Sequence, residues 1–174
     1  MKYRLLSIFA VTLIFFSSCA KPEIDPVLEV YVTVKASEKY QNSVFDVSNV
    51  RFFQEIDGDE AISSLAAQNF GSPNIDLSLA GETTTLIYND SYFDIEKLLG
   101  IHVVLHNLFI SNADEGDFKV DVPWYSYGEL DSSIAIENGK TYRMDITIDL
   151  DEQIFEEDGR KVLDNNFGLE VREL

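Results

Sequence analysis

Lys140-Thr141-Tyr142-Arg143-Met144-Asp145-Ile146-Thr147-Ile148-Asp149-Leu150, preceded by Asn138-Gly139, decides how the rest of the chain is read. From Tyr142 onward the residues alternate without a slip. Tyr142, Met144, Ile146, Ile148 and Leu150 share one side, and Arg143, Asp145, Thr147, Asp149 and Asp151 share the other. Successive side chains of a strand point to opposite faces, so this segment buries one face and wets its reverse. Upstream, Ile134 and Ile136 alternate too. A three-residue loop, Glu137-Asn138-Gly139, sets Ile134 opposite Tyr142 and Ser132 opposite Met144, whereas a two-residue turn would set Ile134 against Arg143. The longer loop agrees with the burial pattern and puts Gly139 where positive φ is needed. The expectation is a hairpin of 132–136 with 140–150.

Working outward, Leu28, Val30, Val32 and Val34 alternate with Glu29, Tyr31, Thr33 and Lys35 as a first strand. Phe45 and Val47 keep one phase and Val50 and Phe52 the other, which predicts a bulge near Ser48-Asn49. Asp57-Gly58-Asp59 reads as a turn. Ile62, Leu65 and Ala66 have helical spacing and predict a short helix within 61–70. Ile75, Leu77 and Leu79 alternate, Ala80-Gly81 turns, and 83–88 returns. Asp94 is placed to cap one helical turn ending at Gly100. The run 101–110 is apolar on both phases, as in a central strand covered on both sides. Phe118, Val120, Val122 and Trp124 form a strand that Pro123 confines to an edge or bulge. Asp151 to Gly159 reads as an acidic loop with Ile154 and Phe155 tucked in, and Phe167, Leu169 and Val171 as a closing edge strand. Many short strands with frequent turns predict an all-β fold, an antiparallel two-sheet sandwich with at most one or two short helices.

The N-terminus reads differently. Met1-Lys2-Tyr3-Arg4 is a basic start, and 5–16 is apolar apart from Ser7 and Thr12. That run is shorter than the roughly 20 residues a spanning helix needs, so it reads as a signal peptide. Residues 1–18 are assigned to the signal, 19–26 to an anchored Cys19 and its tether with Pro22 and Pro26, and 27–174 to a single domain. Phe16-Ser17-Ser18-Cys19 resembles the lipobox of bacterial lipoproteins, with Phe16 where that family usually has Leu. The resemblance implies lipidation of Cys19 and a membrane anchor. The other reading is ordinary secretion with a cut at Lys21. The chain has one cysteine; alone it closes no internal disulfide, and lipidation gives it a purpose. Ala20 is compatible with sorting to an outer membrane, with the periplasmic or surface face left open.

A wider resemblance rests on the lipobox, on Phe45-Asp46-Val47-Ser48-Asn49-Val50-Arg51-Phe52-Phe53, and on Ile148-Asp149-Leu150-Asp151. Together these are similar to small envelope β-sandwich lipoproteins of unknown function. That resemblance implies an immunoglobulin-like or prealbumin-like core and a cell-envelope address, and brings no catalytic residues.

Charge narrows the partners. The formal net charge is −18. Without Lys2 and Arg4, 11 basic residues remain against 31 acids, a net charge of −20. So acidic a surface repels phosphate backbones, which excludes nucleic-acid binding as an expectation. His102 and His106 are the only histidines; on a strand they stand roughly 13 Å apart, too far to share a metal. Asp57 and Asp59 with Glu60, and Asp149 and Asp151 with Glu152, offer oxygens at close spacing for calcium, although solvated turn acids are the commoner use of such residues. The 112–117 loop is acidic in the same way. Trp124, Tyr125 and Tyr127 are candidates for stacking against a glycan, with Trp124 assigned by alternation to the core and the tyrosines to the opposite face. No Gly-x-Ser-x-Gly elbow or phosphate loop occurs. The expected function is therefore non-enzymatic: an anchored module that binds or scaffolds an envelope protein or glycan, or alternatively a glycan- or calcium-binding accessory.

Overall fold

The computed structural model describes residues 24–40, 43–66, 74–77, 81–91, 95, 97–112, 115–123 and 126–174. Twelve strands account for most of them: β1 (Val27–Ala36), β2 (Ser43–Ile56), β3 (Asp59–Ala66), β4 (Asn74–Leu77), β5 (Gly81–Asp90), β6 (Lys97–Asn112), β7 (Gly116–Val120), β8 (Ser126–Ala135), β9 (Thr141–Asp149), β10 (Ile154–Glu157), β11 (Arg160–Leu163) and β12 (Gly168–Glu173). Helix among the described residues is a 3-10 turn, Glu38–Tyr40, and one α-helical turn, α1 (Leu150–Gln153). The all-β expectation holds at that level.

Two larger sheets carry the core. One has the order β12-β9-β1-β5; the other runs β3-β2-β6-β7, with β4 also on β2 and β8 also on β6. Leu28, Val30, Val32 and Val34 of β1 and Met144, Ile146 and Ile148 of β9 line one buried face. Val50 and Phe52 of β2 and Ile101, Val103, Leu105, Leu108 and Ile110 of β6 line the other, and all belong to one apolar cluster. Phe52 meets Tyr88 of β5 edge-on, with ring centroids 5.6 Å apart, and so links the two sheets directly.

The alternation of 142–150 is reproduced residue for residue in the burial of β9. Its expected partner is not. β8 pairs with β6, while β9 pairs with β1 and β12, so the 132–150 hairpin is instead an arch between the sheets. The turn chemistry is as read: Gly139 has φ of 78°, and the Lys140 N–H donates to Glu137 O at 3.4 Å. A turn fixes local geometry but does not choose which sheet each arm joins. Tyr142 fixes the arch from inside. Its hydroxyl accepts from the Glu137 N–H (3.0 Å) and donates to Ala135 O (3.4 Å). The 75–88 hairpin is corrected in the same way, since β4 pairs with β2 and β5 with β1.

Crossing between sheets also explains why the pairing is not wholly antiparallel. β9 reaches β1 from across the core and runs parallel to it, from Val27↔Thr141 to Lys35↔Asp149. The bulge expected near Ser48-Asn49 is present as a register shift between Val47 and Asn49. The 61–70 helix is overturned: residues 59–66 are β3, paired with β2 through a two-residue turn in which Asp57 (φ 53°) and Gly58 (φ 87°) are both left-handed. Such a turn matches strand twist and outweighs a short helical spacing. The acidic loop 151–159 is corrected likewise. It contains α1 and the β10–β11 hairpin, turned by Asp158 (φ 50°) and Gly159 (φ 75°), with Ile154 buried and Phe155 exposed. Residues 97–100 are strand, and the Asp94 cap lies outside the described residues. β6 is central, but its outer face is only partly covered, for Val104 is buried and Phe109 exposed. β7 ends at Val120, before Pro123, at a sheet edge.

Candidate functional site

The outer faces of the two sheets differ in how their polar groups are used. On the β12-β9-β1-β5 sheet, the Arg143 guanidinium grips Asp145 at 2.6–3.0 Å and lies 3.9 Å from the Tyr31 ring centroid. Arg172 adds a second contact to Asp145 at 3.5 Å. These charges satisfy one another and leave a closed surface.

The outer face of the six-stranded sheet carries a cleft of about 290 Å³, lined by Phe53, Glu60, Leu99, Gly100, Glu129 and Leu130. Ladder irregularities make it. Leu98 pairs with Ile134 and Gly100 with Glu129, so residues 130–133 of β8 bow outward without ladder partners on β6. Between Phe53 and Gln54 the β2–β6 register shifts as well, leaving Leu99 as the extra residue on β6. Gly100 sits at the base because nothing larger fits: a Cβ there would lie 2.6 Å from Gly128 O and 3.3 Å from Glu129 Cα. Glu60, beside the β2–β3 turn, stands directly opposite Glu55, which Lys97 engages at 2.5 Å.

A row of rings borders the cleft. Phe53 and His102 meet edge-to-face at 4.0 Å between centroids, and Tyr127 follows at 5.8 Å from His102. Arg51 is the ladder neighbour of His102 on its other side. Burial, and then the charge of Arg51, hold the His102 imidazole below its ordinary 6.5. The sign follows from linkage. Above that value the ring is neutral folded or unfolded; below it the unfolded chain takes up the proton first, so stability falls with pH until folded His102 titrates too. The Tm is expected to drop more between pH 7.5 and 5.5 in the native protein than in His102→Gln. An equal drop in both would show that His102 contributes nothing to acid sensitivity.

The residues singled out in the sequence are scattered. Tyr127 lies half-buried in the aromatic row, its N–H donating to Asn165 O (2.7 Å) and its carbonyl accepting from Phe167 N–H (2.9 Å). Trp124, Tyr125 and Cys19 lie outside the described residues. His102 and His106 are both on β6. Asp57 and Asp59 are at the exposed tip of the β2–β3 hairpin. Asp149 caps α1, accepting from Asp151 N–H at 3.1 Å. The Asp151 carboxylate in turn accepts from the N–H (2.7 Å) and hydroxyl (2.6 Å) of Ser37, stapling the ends of β1 and β9. Among the described residues no three His, Cys, Asp or Glu side chains converge as a metal site would need. Sequence reasoning missed Phe53, Gly100 and Glu129, and met Glu60 only as one of the acids of the 57–60 turn. The register slip between β6 and β8 that assembles them has no local signature.

No family model and no curated protein matches the chain. Two solved structures are similar: a disulfide-locked mutant of intermedilysin with human CD59, and one described as a trapped toxin. Each is 11% identical, with TM-score 0.24. The matches cover 83% and 85% of this chain but 24% and 23% of those chains, so this chain spans about a quarter of their length. Likeness at that level carries no functional argument.

Proposed function

We propose that the chain is a membrane-anchored envelope lipoprotein whose β-sandwich is a non-enzymatic binding or scaffolding module. The observation that carries the anchor is the chain's one cysteine, placed where the apolar leader ends in Ser17-Ser18-Cys19. The tether that follows is short, because β1 enters the middle of a sheet at Val27. Several acyl chains on one residue, at about 0.8 kcal/mol per buried methylene, hold a protein at a membrane permanently. An outer-membrane address follows from the same reading.

The core is read as immunoglobulin-like. Tyr142 supports that, because its hydroxyl pins the backbone a few residues upstream at a between-sheet corner, the role a tyrosine corner has in such sandwiches. A binding role is supported by an open cleft in which two exposed carboxylates flank an apolar base.

Growth with radiolabelled palmitate tests the anchor. Label is expected in the native protein and absent from Cys19→Ser. A native protein that takes up no label would end the lipoprotein reading.

A further inference from the structure

The cleft has an unbalanced charge. Glu55 and Glu60 are cross-strand neighbours, an arrangement that costs stability because like charges face each other directly. Lys97 neutralises Glu55. Glu60 and Glu129 take part in no ion pair among the described residues, and both are exposed at the cleft. Between them lie Phe53, Leu99, Leu130 and the bare backbone of Gly100. A carboxylate stands on each wall, and the base between them is greasy.

We propose that this cleft binds a linear aliphatic diamine, with one ammonium on Glu60, the other on Glu129, and the hydrocarbon spacer over Phe53, Leu99 and Leu130. The proposal deepens the binding-module reading and rests on it. Ammonium groups supply three donors each and match carboxylate acceptors. Among the described residues one aromatic ring lines the cleft, and a cage for a quaternary ammonium uses several, so primary amines are favoured. Glu60 on β3 and Glu129 on β8 are three strand spacings and two residues of register apart, roughly 16 Å between backbones at about 4.8 Å per step and about 3.3 Å per residue. Both side chains are long and exposed, so their carboxylates can close on the two ends of one short diamine. Bound cations also relieve the repulsion between Glu55 and Glu60.

The test is calorimetric titration of the full chain at low ionic strength with 1,5-diaminopentane, 1-aminopentane and tetralysine. The diamine is expected to bind several-fold more tightly than the monoamine. Glu60→Gln and Glu129→Gln are each expected to weaken it by roughly five-fold, the upper range for an exposed ion pair. Glu82→Gln, which removes an exposed acid at the start of β5 on the other sheet, is expected to leave it unchanged. Equal affinity for both amines, or equal losses in all three variants, would overturn the proposal and assign binding to the chain's overall negative field. Tighter binding of tetralysine with the same dependence on Glu60 and Glu129 would overturn it in favour of a basic protein segment. Absence of fatty-acid label leaves this assignment standing, and failure of the titration leaves the anchor standing.

Discussion

Gly100→Ala is expected to destabilise the domain by about 3 kcal/mol, the upper part of the range for overpacking a buried site. The added methyl would meet backbone, Gly128 O at 2.6 Å and Glu129 Cα at 3.3 Å, and backbone cannot swing aside as a flexible side chain does. Relief requires β8 to move away from β6, which breaks the ladder around Gly100↔Glu129 and opens the cleft. Gly168→Ala is the control. Its nearest side-chain atom is Thr147 Cβ at 3.8 Å, an ordinary contact, so that change is expected to be neutral or to stabilise by about 0.5 kcal/mol through the unfolded chain. Urea denaturation of both variants decides the matter. A midpoint for Gly100→Ala no lower than that for Gly168→Ala would mean that the two strands do not approach so closely.

Two adjacent phenylalanines give the second large effect. Phe52→Ala is expected to cost about 3–5 kcal/mol, because the ring is wholly buried and bridges the sheets through Tyr88. Phe53→Ala, one residue on and therefore on the outer face, is expected to cost about 1 kcal/mol, typical of a partly exposed position. Thermal or urea unfolding of the pair reads the sandwich directly. Equal losses would contradict the assignment of Phe52 inward and Phe53 outward.

How far the sequence could be read depends on whether the signal was local. Alternation in 28–34 and 142–150 is a property of each strand alone; 142–150 was legible to the residue, and 28–34 except at Thr33, which is buried where the wet face was expected. The bulge after Val47 was legible too, since it shifts the apolar phase within one strand. Asp57-Gly58 and Asp158-Gly159 were available as two-residue hairpin signals, yet the spacing of Ile62, Leu65 and Ala66 was read as helix and 151–159 as a loop. Ile62 faces solvent in β3, so an apolar residue on an exposed edge misled the pattern. The arch at 135–141 and the separation of β4 from β5 were beyond local reading, because the partner of each arm lies far along the chain. The cleft was illegible for the same reason: Glu60, Gly100 and Glu129 meet only after β3, β2, β6 and β8 have aligned.

The placement of β1 has a consequence for the order of folding. Its neighbours on the two sides are β5 and β9, and the rung Leu28↔Tyr142 joins the beginning of the domain to its last third. No N-terminal fragment can therefore seal the strand that enters first; Val30 and Val32 stay without one wall until residues 144–146 arrive. Closing so long a loop is entropically slow, which places the protein among chains that fold in milliseconds to seconds rather than microseconds. A chain emerging N-terminus first therefore keeps β1 open along one edge until residues 141–149 have followed.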